Sequence, residues 1–327
     1  MDFSVQEISM EEIDLHKVKE DLNRKIIAFY TDIWSDIRNK KYELWLENFD
    51  KSDEKLNALY LLSKFIYFGN NEIRAMLKSI FRDLYKYPIV AQIRRSHDDT
   101  TDETFIKREF KKKLNQTRFL GVGNPSESGV HLLYYFRQEN ELSKNYFLNA
   151  NELFLSKISQ GNGELNQSWR DDNISHIVFI DDFCGNGSQA ISYIKEIVEQ
   201  IKKLKSECIV EYFVLVAKEE GLRNVRKQII VDRADSIFVL DDSFKCFSDN
   251  SRYFTGEKPG IDKTLCKAMC EKYGKNRWKD AQSAMGYNND ELLISFFHNT
   301  PSNTLPIFWT DEKNWYPIFN RDIKIYR

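Results

Sequence analysis

The stretch IVFIDDFCGNGS, residues 177–188, decides the fold that this sequence predicts. Four apolar residues lead into the carboxylates of Asp181 and Asp182, and the glycines Gly185 and Gly187 follow closely. A helical pattern then begins, with isoleucines on one stripe: Ile191, Ile194, Ile197 and Ile201. This order of strand, small-residue loop and helix is typical of a parallel sheet, whose ligands collect at the carboxyl ends of the strands.

The sequence on both sides continues the alternation of strands and helices. Strands are predicted at residues 118–123, 209–217 and 236–240, and helices from residue 130 and around residues 222–229. The pattern predicts an α/β fold with a mostly parallel sheet and helices on both faces. Residues 106–327 are assigned to this domain, and a strand-like segment at 292–297 with the turn-rich residues 298–306 forms its C-terminal extension.

Residues 1–105 have a helical pattern instead. Apolar side chains recur at helical spacing through residues 56–66 and 70–87, and Pro88 is expected to interrupt the helix. Residues 94–104 are polar and unpatterned, which predicts a linker or a mobile loop. The sequence therefore predicts a helical N-terminal region ahead of the α/β domain.

Composition limits the classes of function. The net charge is −2 and the sequence pI is about 6.3, which argues against a surface whose main role is to neutralise nucleic-acid phosphates. The N-terminus lacks the apolar stretch of a secretory signal, and no apolar run approaches the roughly 20 residues that span a bilayer. Five scattered cysteines do not suggest a disulfide framework. A soluble, cytoplasmic protein without a membrane partner is expected.

The loop at residues 185–188 is predicted to bind an anion. Its glycines bring backbone N–H groups close to a ligand, and the helix that follows presents the positive end of its dipole. The carboxylates of Asp181 and Asp182 would accept hydrogen bonds from sugar hydroxyls or bind Mg²⁺. The loop lacks the third glycine of a dinucleotide fingerprint and the Gly-Lys-Ser/Thr of a Walker A motif. An ordinary strand–turn–helix with an acidic end is the alternative.

The same stretch resembles the ribose-phosphate signature of type I phosphoribosyltransferases. The resemblance implies that Asp181 and Asp182 contact the ribose of phosphoribosyl pyrophosphate, with Mg²⁺ as a cofactor. It implies a 5′-phosphate loop made of Gly185, Asn186, Gly187 and Ser188. It also implies a pyrophosphate loop after the earlier strand, with Gly123, Asn124, Ser126 and Ser128, and a base contact by Lys218.

Two further segments resemble the PRTase-CE proteins of prokaryotic conflict and antiphage systems, which include retron-associated effectors. They are FLGVGNPSESG at residues 119–129 and HNTPSNTLP at residues 298–306. In the second segment, His298 would be a catalytic proton donor or a ligand contact, and a structural loop histidine is an equal alternative. The resemblance implies a toxic effector in antiphage defence, with a defence-system protein or a nucleoprotein as a possible partner.

Three hypotheses of function stay open. The first is a Mg²⁺-dependent enzyme that acts on a ribose-phosphate or nucleotide substrate. The second is an inactive module that senses a nucleotide or phosphoribosyl pyrophosphate and regulates a partner. Gly185 favours it, because many phosphoribosyltransferases have an acidic residue there, and residues 123–129 contain no Lys or Arg. The third is a structural subunit of a nucleoprotein complex.

Other candidate sites each have a simpler alternative. A weak basic cluster at residues 107–118 could contact nucleic acid or pyrophosphate, although a solvated helix face is favoured; it contains Lys107, Arg108, Lys111, Lys112, Lys113 and Arg118. Cys246, Cys266 and Cys270 match no standard zinc spacing and are expected to be buried. Cys184 is either a thiol activated by the helix N-terminus or an apolar filler under the loop.

Overall fold

The computed structural model describes residues 10–34, 37, 41–123, 128–158, 165–275, 284–311 and 314–322. The described helices are α1 (Met10–Asp32), α2 (Lys41–Leu46), α3 (Ser52–Leu62), α4 (Asn70–Ser79), α5 (Tyr87–Arg95), α6 (Glu103–Asn115), α7 (Ser128–Glu139), α8 (Ser188–Leu204), α9 (Glu219–Gln228) and α10 (Lys263–Lys275). The described strands are β1 (Ile66–Phe68), β2 (Thr117–Gly121), β3 (Phe154–Ile158), β4 (Leu165–Trp169), β5 (His176–Cys184), β6 (Ile209–Lys218), β7 (Arg233–Leu240) and β8 (Ile294–Phe296).

The chain divides into two compact units. The first unit combines residues 1–71 with residues 241–327, and the second unit consists of residues 72–240. The boundary predicted after residue 105 does not appear in this division. A π-helical segment at Ile80–Lys86 packs on β6 and β7, so part of the predicted helical region belongs to the α/β core. Helical periodicity alone does not say which core a helix joins.

The second unit is built on a parallel sheet with the strand order β2-β5-β6-β7. In its register, Phe119 pairs with Val178 and Phe179 pairs with Tyr212. Helices α8 and α9 bury their apolar stripes against one face of this sheet; the helix residues in that core include Ile194, Val198, Ile201, Leu222 and Val225. The prediction of an α/β fold with a mostly parallel sheet and an N-terminal helical region is confirmed.

This unit also contains a short hairpin that the sequence pattern does not predict. Strands β3 and β4 pair antiparallel, with Phe154 opposite Trp169 and Ser156 opposite Gln167. The usual sequence signal for a half-buried strand is a strict alternation of polar and apolar residues. This segment lacks such an alternation.

Pro88 does not interrupt the helical run, so that prediction is wrong. A proline lacks the N–H group and clashes with the carbonyl four residues earlier, which is that of Leu84. The π-helical segment at Ile80–Lys86 removes this conflict, since the N–H of Tyr87 bonds the Arg82 carbonyl five residues back. The Leu84 carbonyl instead accepts a hydrogen bond from the guanidinium of Arg233.

Replacing Arg233 with methionine is expected to lower the free energy of unfolding by about 1–2 kcal/mol, since a hydrogen bond and a cation–π contact are lost. The guanidinium lies 4.6 Å from the centroid of the Phe213 ring, and its Nε lies 3.6 Å from Oε1 of Glu211. Urea unfolding measures the effect. The exposed Arg223 provides the control, and equal stabilities of Arg233→Met and Arg223→Met would contradict the role of Arg233.

The predicted loop at residues 94–104 is shorter in the structure. Helix α5 continues to Arg95, and α6 begins at Glu103. Asp102 caps α6, because its Oδ1 accepts hydrogen bonds from the N–H groups of Thr104 and Phe105. The polar composition of this segment therefore reflects a turn and a helix cap.

The first unit joins both ends of the sequence through β1 and β8, which pair in parallel with Ile66 opposite Ile294. The turn-rich residues 298–306 are held inside this unit by hydrogen bonds. Thr300 Oγ1 donates to the Asn320 carbonyl at 2.6 Å, and Asn303 Nδ2 donates to Asp290 Oδ2 at 2.6 Å. Within the described ranges, no helix is long and apolar enough to cross a membrane.

Candidate functional site

The described ones among the predicted site residues of the second unit lie along one edge of the parallel sheet. Strand β2 ends beside β5, where the Val122 N–H donates to the Ile180 carbonyl at 3.0 Å. Strand β6 continues to Lys218, on the other side of β5. The edge therefore gathers Gly123, the acidic pair and Lys218. Asn124 and Ser126 lie outside the described residues, and of Ser128 only its position at the start of α7 is described.

The two carboxylates of the acidic pair have different environments. Asp181 is buried, with 5% of its surface exposed. Its Oδ2 accepts a hydrogen bond from the Tyr212 hydroxyl at 2.9 Å, and its Oδ1 accepts one from the Asp182 N–H at 2.9 Å. Asp182 is half-buried, and its Oδ1 accepts the Phe183 N–H at 2.9 Å. The two carboxyl groups nevertheless lie close enough to interact with each other.

Burial and charge favour a proton on Asp181. Burial is the main cause that raises the pKa of the Asp181 carboxyl well above its usual range, and the negative charge of Asp182 raises this pKa further. Burial also raises the pKa of Tyr212, so its hydroxyl stays a donor to Asp181. Asp182 is therefore the carboxylate of the pair that can meet a ligand as an anion.

The loop at residues 185–188 packs tightly against helix α9, because Gly187 of the loop and Gly221 of the helix leave no room for a Cβ. Gly187 has φ +85°, a left-handed conformation that favours glycine, and a Cβ there would lie 2.9 Å from the Gly221 carbonyl. A Cβ on Gly221 would lie 2.3 Å from the Gly185 carbonyl. Asn224 Nδ2 donates to the Asn186 carbonyl at 3.0 Å, which adds a second contact from α9. Helix α9 therefore holds the loop in place through Gly221 and Asn224.

Asn186 covers the start of helix α8. Its Oδ1 accepts hydrogen bonds from the Ser188 N–H at 3.0 Å and from the Ser188 hydroxyl at 2.7 Å. These two donors are among the groups that a phosphate at a helix N-terminus would use.

Cys184 is a buried thiol under the loop. Burial raises its pKa to about 12, so the thiolate is disfavoured at neutral pH. Its Sγ would lie 2.8 Å from a Cβ on Gly221. The apolar-filler interpretation of Cys184 fits these contacts, and the activated-thiol alternative does not.

Lys218 and His298 belong to different units. Lys218 Nζ lies 3.3 Å from Glu220 Oε2, and 15% of the lysine side chain is exposed. His298 lies in the first unit, where its ring stacks on Phe296 with centroids 5.5 Å apart. It also meets the edge of Phe297 at 5.1 Å. The roles of Lys218 at a base and of His298 in catalysis stay predictions.

The basic cluster at residues 107–118 is mostly engaged in local contacts. Lys107 pairs with Glu103 at 3.0 Å, and Lys112 pairs with Glu109 at 2.8 Å. Lys111 Nζ donates to the Tyr146 hydroxyl at 2.8 Å. These contacts fit the interpretation as a solvated helix face.

The described residues contain no group of three or more His, Cys, Asp or Glu side chains suited to hold a metal ion. Cys246, Cys266 and Cys270 are buried, and burial raises the pKa of each thiol. Cys266 and Cys270 are thus buried on α10, as expected of helix-face cysteines, and Cys246 is buried in a turn.

The parallel sheet, the acidic strand end and the glycine loop define a phosphoribosyltransferase-like domain. A model of the PRTase-CE family matches residues 42–321. This match covers most of the chain, so the protein belongs to the PRTase-CE family. Among curated proteins, no sequence matches this chain.

Solved structures with a similar fold include three phosphoribosyltransferases. The xanthine-guanine-hypoxanthine enzyme of Helicobacter pylori is 9% identical over 54% of this chain and 92% of its own, with a TM-score of 0.26. The purine enzyme of Pyrococcus horikoshii is 9% identical over 54% and 91%, with a TM-score of 0.25. The orotate enzyme of Aeropyrum pernix is 16% identical over 42% and 73%, with a TM-score of 0.22. The family assignment rests on the sequence match.

Proposed function

We propose that the sheet edge formed by Asp182 and residues 185–188 binds the ribose 5-phosphate part of phosphoribosyl pyrophosphate or of a nucleotide. The observation that carries this proposal is the position of a half-exposed carboxylate directly before a glycine loop that opens helix α8. A carboxylate accepts hydrogen bonds from ribose hydroxyls, and a helix N-terminus binds phosphate. Membership of the PRTase-CE family supports the same ligand.

In this proposal the ligand phosphate takes the place of the Asn186 side chain. The Ser188 N–H and hydroxyl, which now donate to Asn186 Oδ1, would donate to phosphate oxygens. A charge-assisted hydrogen bond to phosphate is about twice as strong as a neutral one, so the exchange favours the anion.

Mg²⁺ fits the same edge as a cofactor. In phosphate sites, Mg²⁺ is commonly held by one or two carboxylates, by phosphate oxygens and by water. Asp182 would supply the carboxylate, since Asp181 is buried and bonded to Tyr212. When bound, Mg²⁺ would offset the charge of a pyrophosphate group.

Turnover would break the bond between C1′ of the ribose and its leaving group. For phosphoribosyl pyrophosphate, the leaving pyrophosphate takes the electron pair, and a base nitrogen or water bonds to C1′. The residues of this edge would act by holding the ligand in position and by stabilising charge.

Binding without turnover is the second candidate function. Gly185 has no side chain, and Asp181 is turned into the core, so Asp182 is the one carboxylate of residues 181–188 that is not buried. This favours a module that senses a nucleotide or phosphoribosyl pyrophosphate and regulates a partner.

We further propose that the protein acts in antiphage defence, for example as the toxic effector of a retron system. The PRTase-CE family supports this role. The partner would be another protein or a nucleoprotein of the same system.

Replacing Asp182 with asparagine is expected to weaken the binding of phosphoribosyl pyrophosphate with Mg²⁺ at least about tenfold, since a hydrogen bond to a charged group is lost. Isothermal titration calorimetry of the full chain measures the affinity. Asp172, which is exposed, supplies the control substitution Asp172→Asn. Equal affinities of the wild type and Asp182→Asn, or a folded wild type that does not bind, would contradict the proposal.

Two further measurements on the wild type and Asp182→Asn separate the candidate functions. Pyrophosphate release by the wild type, lost in Asp182→Asn, supports the enzyme. Binding without release supports the sensing module. If expression of the wild type arrests cell growth, Asp182→Asn is expected to relieve the arrest in both cases.

A further inference from the structure

Two lysines of the first unit lie over the ring of Tyr60, and a third, Lys25, lies over Phe29 and is close enough to be affected by their charges. Lys64 Nζ lies 5.3 Å from the centroid of the Tyr60 ring, and Lys258 Nζ lies 5.6 Å from the same centroid. Burial lowers the pKa of Lys25, and the charges of Lys64 and Lys258 lower it further. The three ammonium groups therefore repel one another. Lys25, Lys64 and Lys258 together form the lysine cluster.

The lysine cluster is not neutralised by carboxylates of the described residues. Other lysines of the first unit are paired: Lys55 with Glu47, and Lys272 with both Asp50 and Glu54. None of the described Asp or Glu side chains lies within 4.0 Å of the lysine cluster's ammonium groups. A concentration of like charge without counter-charge favours an anionic ligand.

A groove of about 740 Å³ adjoins the lysine cluster through Lys258. Its walls are formed by Phe254, Gly256, Glu257, Lys258, Pro259, Ile261 and Lys263. Sites for small ligands are commonly about 300–1,000 Å³ and combine an apolar wall with a few polar groups. Phe254 is half-buried and gives this groove an aromatic wall, while Glu257 is the single acidic residue among the described residues that line it.

The segment that forms the groove is anchored at both ends. Asn57 Nδ2 donates to the Gly260 carbonyl at 3.0 Å, and Asn57 Oδ1 accepts the Asp262 N–H at 3.1 Å. At the other end, the Tyr60 hydroxyl donates to the Tyr253 carbonyl. The walls therefore need little ordering when a ligand enters, which lowers the cost of binding.

We propose that this groove binds a nucleotide, with its phosphates against the lysine cluster and its base against Phe254. Lysine is a common phosphate ligand, and the phosphate charge would relieve the repulsion among the three ammonium groups. An aromatic wall next to the phosphate position suits the flat face of a base. The groove shares no residue with the sheet edge at Asp182, so this is a second site and does not depend on the proposed function.

The test uses ATP as the probe and Asp182→Asn as the starting protein, so that the sheet edge contributes less to binding. Adding Lys64→Gln and Lys258→Gln is expected to weaken ATP binding about tenfold or more in calorimetric titrations at low salt. Adding Lys267→Gln, at an exposed lysine of α10, is expected to leave the affinity unchanged. The substituted lysines are not in the buried core, and thermal melts serve as the check that each variant is folded.

A second comparison tests the base contact. Phe254→Leu is expected to weaken ATP binding several-fold and to leave the binding of inorganic tripolyphosphate unchanged, because only ATP carries a base. Equal loss for both probes would overturn the contact with Phe254.

The proposal of the site is overturned if Asp182→Asn does not bind ATP, or if the lysine substitutions leave ATP binding unchanged. It is also overturned if a single-stranded oligothymidylate binds the lysine cluster more tightly than ATP, which would assign the surface to nucleic acid.

Discussion

Replacing Gly221 with alanine is expected to abolish ligand binding at the sheet edge and to lower the free energy of unfolding by about 2–3 kcal/mol. Helix propensity alone would give the opposite sign, since alanine is favoured over glycine in a helix by about 1 kcal/mol. The clash decides the outcome. A Cβ on Gly221 would lie 2.3 Å from the Gly185 carbonyl and 2.8 Å from Cys184 Sγ. The loop would have to move, and its N–H groups would no longer point at one ligand position.

Urea unfolding and titration with phosphoribosyl pyrophosphate measure both effects on the same protein. Lys227→Ala, at an exposed position of the same helix, is the matched control and is expected to change neither quantity. A Gly221→Ala variant with wild-type stability and affinity would mean that α9 does not shape the loop.

Replacing Tyr212 with phenylalanine is expected to lower the free energy of unfolding by about 2–3 kcal/mol at pH 8, and by less at pH 5. The Tyr212 hydroxyl donates to Asp181, whose carboxyl group also accepts the Asp182 N–H. Without this hydroxyl, the buried carboxyl group of Asp181 has one hydrogen bond fewer, and its ionised form, whose share grows as the pH rises, loses the most. The loss is smaller at pH 5 because a larger fraction of Asp181 is then protonated, and a hydrogen bond between neutral groups is weaker.

Asp181→Asn is expected to raise the free energy of unfolding at pH 8, the opposite of the effect of Tyr212→Phe. Burial raises the pKa of Asp181, so the protonated form favours folding. This contribution is full below the pKa of the unfolded chain and is lost as the pH rises through the folded-state pKa. Asparagine does not ionise, so Asp181→Asn is expected to stabilise the protein at pH 8 by at least about 1 kcal/mol, a rise in Tm of roughly 2–4 °C.

Unfolding at pH 5 and pH 8 separates the two variants. Tyr134→Phe, at an exposed tyrosine, is the control for the loss of a hydroxyl group. If Asp181→Asn destabilises the protein equally at both pH values, the carboxyl of Asp181 is not held in its protonated form.

The fold around β5 could be predicted because its signals are local. An apolar run, two acidic residues, two glycines and a striped helix follow one another between residues 177 and 204, and each has a distinct backbone preference. The same locality makes the loop at residues 185–188 predictable, whereas Gly123 and Lys218 are expected at this edge from the family resemblance alone.

The partners of these residues could not be predicted, because they depend on register. Tyr212 reaches Asp181 only once β5 and β6 are aligned, and the sequence of β6 does not say which residue of another strand it will meet. The tyrosine in this mostly apolar strand is a signal only that a buried hydroxyl needs some partner. Gly221 and Asn224 support the loop from a later helix, with no motif of their own.

Domain organisation was the least predictable part for the same reason. Ile66 pairs with Ile294, so the first unit is closed by segments from the two ends of the sequence. A change of pattern along the chain, such as the one near residue 105, marks where helices give way to strands. It does not mark which segments share a core.

The hydrogen bonds of Asn186 affect the free energy of ligand binding at the loop of residues 185–188. Because its amide oxygen already accepts from the Ser188 N–H and hydroxyl, arrival of a ligand replaces one acceptor with another and leaves the number of hydrogen bonds nearly constant. The gain must then come from charge, and affinity at this loop should fall steeply as salt is added. In the proposed binding mode, neutral sugars would gain little from the same exchange, so the Asn186 side chain would compete more strongly with dephosphorylated ligands than with phosphorylated ones.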